Sequence, residues 1–405
     1  MDWTKINLKG HSNGILSKVI LILSFLALCG TISTCAASIS NEKGCLKIKG
    51  RIDSNLRLHA KEERFDSKHL GLNGSDGDFV VSGFCDSLVF VATDRRILCV
   101  NVAAKKVQWS YEILHRNSWG AVLVRGKKVL LISPRNDLCV LNAYNGTLLQ
   151  VIQSQHKLYA IDAADGEFAY CSSVDHRLVA VDYAVGKILW ATKQEVLCVP
   201  GSWCWNDRLL YGYQFGAASK PGGPIAINRR TGAVEWRSVS SSIGEEDNGC
   251  WLILTGRSLL FSLRARGHTG SGVVLVSVDS YSGRTLWRKE FSIVSSVPVY
   301  RNGILYGETL PSTSISAIRL KNMSVRWSSC FDLSGNHIQL TGLPVVLSQH
   351  ELLCPIAGTK LVSLDATTGR LLWVAPYYSA VAPLVGPGYI AYHDVSSNEL
   401  VILRR

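Results

Sequence analysis

Residues 361–373, LVSLDATTGRLLW, carry the pattern that organises the chain. Leu361, Ser363 and Asp365 alternate with Val362 and Leu364, the two-residue period of a strand. Thr368 and Gly369 supply a turn, with glycine free to take a positive φ, and Leu371 to Trp373 begin a returning strand. The same hairpin recurs with last positions at Trp109, Gln150, Trp190, Trp236, Trp287, Trp327 and Trp373, between 40 and 51 residues apart. Six of the seven copies end in Trp, so the copies share a register. Five place a glycine (Gly146, Gly186, Gly232, Gly283, Gly369) four residues after an Asp or Asn, which fixes the turn in the same place each time.

A second phrase lies between the hairpins. SSVPVYRNGILYGE (295–308), TGLPVVLSQHELLCPIA (341–357) and SAVAPLVGPGYIAYHD (379–394) each read as strand, turn, strand, and GAVLVRGKKVLLIS (120–133) is a looser copy. Each unit thus holds four short strands in about forty residues, and no segment shows sustained helical periodicity. This predicts an all-β propeller whose blades repeat radially. A β-helix needs shorter rungs, and a sandwich has no reason to repeat its sequence. Counting gives eight four-stranded blades over residues 78–405, with seven as the alternative. The eighth blade lacks its last strand at Arg405. A segment within residues 45–70 is expected to supply it, so that N- and C-terminal strands close the ring and remove an exposed edge. Residues 38–77 otherwise read as a charged, then Gly-rich linker.

The D-x-x-T-G-x-x-x-W phrase resembles the repeat of the pyrroloquinoline-quinone-type propellers, over about residues 78–405. That resemblance offers two branches. Quinoprotein dehydrogenases in this family are usually much longer. Many carry adjacent cysteines against the quinone, and Glu, Asn and Asp around calcium. Here no two cysteines are adjacent, no carboxylate set matches that site, and no Cys-x-x-Cys-His points to attached haem. The other branch holds cofactor-free scaffolds of the BamB type, which this chain resembles in length, blade number and N-terminal signal. The resemblance to that branch implies a non-enzymatic scaffold without cofactor, at the periplasmic side of the outer membrane. There it would bind the barrel-forming subunit of the β-barrel assembly machinery, or its clients. A quinone-dependent periplasmic dehydrogenase and an extracytoplasmic ligand-binding or sensor propeller are the alternatives.

Residues 1–37 have the layout of a secretory signal. Lys5, Lys9 and Lys18 precede an apolar run from Val19 to Cys29, and small residues lead to Ala37. The run is short for a membrane span, which leaves an uncleaved anchor as the alternative. Bacterial lipoproteins are cut just before a lipid-bearing Cys. Cys35 in ISTC and Cys29 in LALC are the two candidates, Cys35 preferred because it follows the whole apolar run. Ordinary cleavage after Ala37 stays open.

Charge and chemistry narrow the function further. Removing residues 1–35 lowers the net charge from +12 to about +10. Such a surface suits solubility, an anionic membrane surface or an acidic partner. No cluster of Lys and Arg interleaved with aromatics appears, so nucleic acid is disfavoured. Cys85, Cys99, Cys139, Cys171 and Cys354 sit where a small apolar residue would serve a strand, and no C-x-x-C suggests zinc. GPGYIA (386–391) fits G-x-G-x-x-A but joins two strands, without the helix a dinucleotide site needs. No G-x-S-x-G, H-E-x-x-H or phosphate-binding glycine loop occurs. His176, His268, His337, His350 and His393 fall singly in or near predicted turns and read as surface residues.

The repeated Asp/Asn is expected to accept hydrogen bonds from turn N–H groups, and the Trp to dock on a neighbouring blade while its indole N–H finds a backbone acceptor. Seven equivalent copies argue for architecture, since catalytic groups have no reason to repeat around a ring. The longest blade insertions, YQFGAASKPGG (213–223) and SLRARGHTGSG (262–272), are the partner-binding candidates, with Arg264 and Arg266 placed to meet an acidic surface.

Overall fold

The computed structural model describes residues 46–48, 61–72, 79–113, 122–196, 198, 203–214, 222–238, 245–246, 251–265, 273–291, 298–309, 314–331, 345–346, 350–356, 360–379, 383–386 and 388–404. Every regular element among them is a strand. They form eight blades built on four antiparallel strands each, seven of them simple meanders in chain order. Blade 1 is Phe79–Cys85, Leu88–Thr93, Arg96–Asn101 and Lys106–Glu112. Blades 2 to 7 lie in order at 122–152, 158–191, 204–237, 252–291, 299–331 and 345–376. Blade 8 takes three strands from 384–404 and its fourth, Lys61–Phe65, from the other end of the chain. Lys61 pairs with Arg404 and Phe65 with Leu400, antiparallel, within the 45–70 window expected to close the ring.

Burial explains the strand patterns. Second and third strands are covered on both faces by adjacent blades, so LVFVAT (88–93) is buried throughout and RILCVN (96–101) at its four central positions. Fourth strands lie at the rim with one face open, and KVQWSYE (106–112) alternates exposed and half-buried accordingly. First strands meet one another around the centre, as between blades 1 and 2, 4 and 5, and 8 and 1. The buried apolar side chains group into eight cores, one for each blade–blade interface. An open row of eight blades has seven interfaces. The eighth core, in which Phe65, Leu70, Phe79, Val100, Leu400 and Ile402 come together, is what makes the row a ring.

One contact repeats between blades. The outer-strand Trp of one blade lays its ring over the turn of the next, and its indole N–H donates to that turn's backbone. Trp109 donates to the Ala143 carbonyl at 3.0 Å, Trp190 to Arg229 at 2.8 Å, Trp236 to Ser280 at 3.0 Å and Trp327 to Ala366 at 3.0 Å. In each case the acceptor immediately follows the Asp or Asn that ends the third strand. The turn glycine permits the approach. A Cβ on Gly146, Gly232, Gly283 or Gly369 would sit 2.5–2.7 Å from the preceding Trp ring, and all four have φ between 69° and 74°. Gln150 replaces Trp in blade 2 and lies against Gly186, donating to the Val185 carbonyl at 3.3 Å. Trp287 packs in one core with Leu320 and Met323, and Met323 holds the glycine place with φ of 56°.

Three details depart from the sequence reading. His393 is buried in a strand rather than at the surface; its ring lies 3.9 Å from Phe79, and Nε2 is 2.8 Å from Asn398 Oδ1. The ends of both long insertions are strand, because Leu209–Gln214 and Ser258–Ala265 run into them. Two short additions extend sheets: Leu46–Ile48 lies parallel to Ser324–Phe331 on blade 6, and Glu245–Glu246 pairs antiparallel with Ala265 and Arg264 on blade 5. Three- and two-residue pairings leave no periodicity to read.

Gly232→Ala is expected to lower the unfolding free energy by roughly 2 kcal/mol or more, since it combines φ of 71° with a 2.6 Å overlap on Trp190. Gly126→Ala, with φ of 54° but open space around it, isolates the backbone cost, about 1 kcal/mol. Denaturant midpoints of the pair measure the docking contribution; equal losses would refute it.

Candidate functional site

Two places in the ring depart from the repeat and hold polar groups that the repeat does not explain. The first is the closing seam between blades 8 and 1. By register, Ile402 opposite Glu63 corresponds to Cys99 opposite Trp109, so Glu63 takes the Trp place on the outer strand. Lys105 takes the glycine place in the blade 1 turn, with φ of 54°. The indole dock gives way to ions. Arg404 Nη2 contacts Glu63 Oε2 at 3.0 Å, and Lys105 Nζ lies 3.5 Å from Glu63 Oε1. Arg404 also donates to the Val102 carbonyl, the place that receives an indole N–H elsewhere in the ring. The Glu63 side chain is only 4% exposed, so its charge depends on these partners.

Trp373 shows the other side of the same break. Blade 8 has no hairpin between its third and fourth strands, so no turn carbonyl faces blade 7. Trp373 donates instead to Glu351 Oε1 at 2.7 Å, which also accepts Ser363 Oγ at 2.8 Å. Beside the seam a cavity of about 330 Å³ is lined by Glu62, Glu63, Arg64, Phe65, His69 and Lys105. Arg64 spans Glu62, Asp394 and Glu399 at 2.6, 3.1 and 2.8 Å. The cleft holds both signs of charge in pairs, an arrangement suited to strand closure.

The second place is on an innermost strand. Asp162 is the extra residue of a bulge in Leu158–Ala164, where Ile161 pairs with Cys171 and Ala163 with Tyr170. Its carboxylate accepts Ser172 Oγ at 2.5 Å. Burial pushes its pKa up to about 6, with hydrogen bonding by Ser172 opposing. Burial also raises the Cys198 thiol well above its ordinary value, and the Asp162 charge adds to the rise. A carboxyl of this kind exchanges a proton near neutrality. Its one hydroxyl partner, Ser172, is not joined by a histidine in the described contacts, so no nucleophile–base relay is formed.

The remaining residues singled out from the amino-acid pattern divide plainly. Trp109, Trp190, Trp236 and Trp327 have their indole N–H groups engaged with backbone, and the Asp/Asn positions are engaged within their own turns. Asp182 Oδ1 accepts from Ala184 and Val185 N–H at 2.9 Å each, and Asp365 Oδ1 from Thr367 and Thr368 at 2.9 and 2.8 Å. Arg264 stands in the second strand of blade 5, opposite Glu246 in register, rather than in a loop. Arg266, Cys29 and Cys35 lie outside the described residues, as does the whole 1–37 segment. Sequence reasoning passed over Glu63, Arg404 and Asp162. Nothing in KEERF or LYAIDAA distinguishes them until register is known; the one clue to Glu63 is that the eighth copy lacks its Trp.

Among the described residues no set of three His, Cys, Asp or Glu side chains is placed to hold a metal ion. Nor does any helix among them have the length and apolarity to cross a membrane.

Fold and repeat together define an eight-bladed propeller of the pyrroloquinoline-quinone repeat type. The family model described as "Outer membrane protein assembly factor BamB" matches residues 93–329, more than half the chain, and the chain belongs to that family. No curated protein matches the sequence. BamB from Moraxella catarrhalis superposes with a TM-score of 0.54 at 14% identity, covering 85% of this chain and 98% of that one. The computationally designed protein Ika8 gives 0.60 at 12% identity, with 81% and 96% covered. A europium-containing methanol dehydrogenase gives 0.54 at 13%, with 84% and 85% covered. Scaffold, design and enzyme share this ring, so the likeness speaks to fold and not to activity.

Two outcomes test the departures. Glu63→Gln is expected to cost roughly 2–4 kcal/mol, with faster amide exchange in residues 399–404 and unchanged exchange in blade 3. Unchanged exchange at the seam would count against the ion closure. For Asp162 the raised pKa means that the unfolded chain releases this proton first, so stability falls as pH rises from about 4 through about 6. Asp162→Asn removes that fall, and melting temperatures at about pH 5 and about pH 7 compared between the two proteins measure it.

Proposed function

We propose that the protein is a non-enzymatic scaffold in the assembly of outer-membrane β-barrel proteins, at the periplasmic side of that membrane. Membership of the family described as an outer-membrane assembly factor carries this reading. The way the ring uses its polar repeat residues supports it: turn carboxylates are spent on folding their own hairpins and indole N–H groups on joining blades, which produces a rigid disc with two loop-bearing faces. A disc of this kind positions partners without a reacting group. Its partner is the barrel-forming subunit of the assembly machine, or a client on its way into it. The extensions beyond Arg264 and around 213–223 are the proposed contact points, with Arg264 and Arg266 facing an acidic surface.

In the same reading residues 1–37 direct export. Cys35, or Cys29 in its place, carries the lipid that holds the scaffold at the membrane, and residues 38–77 tether the ring and close it. The dehydrogenase branch remains the second reading because an enzyme shares the fold.

The deciding experiment is affinity purification from native membranes, with mass spectrometry of the partners and of the mature N-terminus. Co-purification of a barrel-assembly protein with lipid on Cys35 or Cys29 is the expected result. A soluble protein that binds quinone and calcium and brings down no such partner would overturn the scaffold.

A further inference from the structure

Two of the seven hairpins between third and fourth strands contain a feature the other five lack. Asn145-Gly146-Thr147 in blade 2 and Asn322-Met323-Ser324 in blade 6 both read N-x-S/T with a residue other than proline in the middle. This is the acceptor pattern for an N-linked glycan in an exported chain. The two asparagines occupy the same step of the repeat, three residues after the position that ends the third strand, Asn142 or Arg319. At that step the other hairpins carry Ala104, Val185, Thr231, Ser282 and Thr368.

The local geometry is also shared. Thr147 donates to Asn145 Oδ1 through its N–H at 3.1 Å and its hydroxyl at 2.8 Å. Ser324 donates to Asn322 Oδ1 through its N–H at 3.2 Å and its hydroxyl at 2.8 Å. The middle residue is left-handed in both, with φ of 69° at Gly146 and 56° at Met323. Both asparagines are exposed. Each therefore uses its carbonyl oxygen inside the turn, while its Nδ2 amide engages nothing among the described contacts. Substituting one Nδ2 hydrogen leaves every one of these bonds in place.

The strand leaving each turn is consistent with cover. The blade 2 outer strand, LLQVI, has no charge, and Leu148, Leu149 and Val151 are 47%, 52% and 45% exposed. In blade 6, Val325 comes directly after the pattern and is 55% exposed. A rim strand with open backbone and exposed aliphatic side chains, as in blade 2, invites unwanted pairing. In blade 6 Leu46–Ile48 covers Ser329 to Phe331, and among the described residues only the head of the strand around Val325 is unpaired on its outer side. A sugar chain rooted at the head of the strand hinders that approach.

We propose that Asn145 and Asn322 are N-glycosylation sites, with glycans standing on the rim of the ring at blades 2 and 6. The donor is an oligosaccharide on a polyprenyl pyrophosphate. The asparagine Nδ2 forms a bond to C1 of the first sugar, the bond from C1 to the pyrophosphate oxygen breaks, and polyprenyl pyrophosphate leaves with the electron pair. One Nδ2 proton passes to the transferase and then to solvent. Modification needs only export of the chain, and stands or falls apart from the scaffold reading.

The test uses the full chain purified from its own source. Digestion with a peptide N-glycosidase in heavy-oxygen water converts each occupied asparagine to labelled aspartate, which peptide mass spectrometry locates. Labelled aspartate at 145 and 322 is the expected result. In gels, Asn145→Gln and Asn322→Gln should each remove the mobility shift of one glycan, Thr147→Ala should act like Asn145→Gln, and Thr147→Ser should keep the shift. Unmodified peptides spanning both asparagines would overturn the proposal. So would label confined to Asn73, a third N-x-S/T site that lies outside the described residues, or to one member of the pair, since the shared geometry predicts both.

Discussion

The ring depends on one contact: an indole N–H from the rim of one blade donated to a turn carbonyl of the next, over a residue with no side chain. Every part of the hairpin serves it. The Asp or Asn folds the turn by accepting its N–H groups, and the left-handed residue keeps the turn flat. The carbonyl after the Asp then points outward for the indole. The four Trp–Gly docks at 2.8–3.0 Å set the spacing between blades, and buried aliphatic cores fill the space inside it. The left-handed turn is the more basic requirement. Lys105 and Met323 adopt it without being glycine, at about 1 kcal/mol of strain each.

A ring made from one chain must break its repeat where the ends meet. The outer strand of blade 8 arrives from residues 61–65 and brings no Trp, and blade 8 offers no turn to blade 7. Both deficits are met with charge. Arg404 supplies the missing donor to Val102, Glu63 balances it, and Glu351 accepts from Trp373. Ion pairs of this kind are sensitive to loss of one partner in a way that apolar docking is not. The seam is thus the part of the ring whose closure rests on electrostatics, and its cleft is where polar chemistry gathers.

The same economy bears on function. The repeated Trp and Asp or Asn side chains are committed to structure, and Asp162, whose pKa burial raises to about 6, sits on a bulge facing Ser172. That the same ring also occurs in a dehydrogenase shows how little the blades alone decide.

The repeat was legible because it is local. Alternation, the Asp-to-Gly spacing and the terminal Trp all fall within thirteen residues, and the physics of a hairpin acts over that range. Eight blades and closure by an N-terminal strand came from counting these copies. The residues that break the repeat were not legible, because their meaning lies in register between distant segments. Glu63 matters only once Lys61–Phe65 is paired with Glu399–Arg404, and Asp162 only once a bulge turns it toward Ser172. His393 looked like a turn residue and is buried because Phe79, from the far end of the chain, packs against it. Local hydrogen bonding gave this chain its blades. Which side chain faces which across the closed ring was decided by the sheet pairing of its two ends.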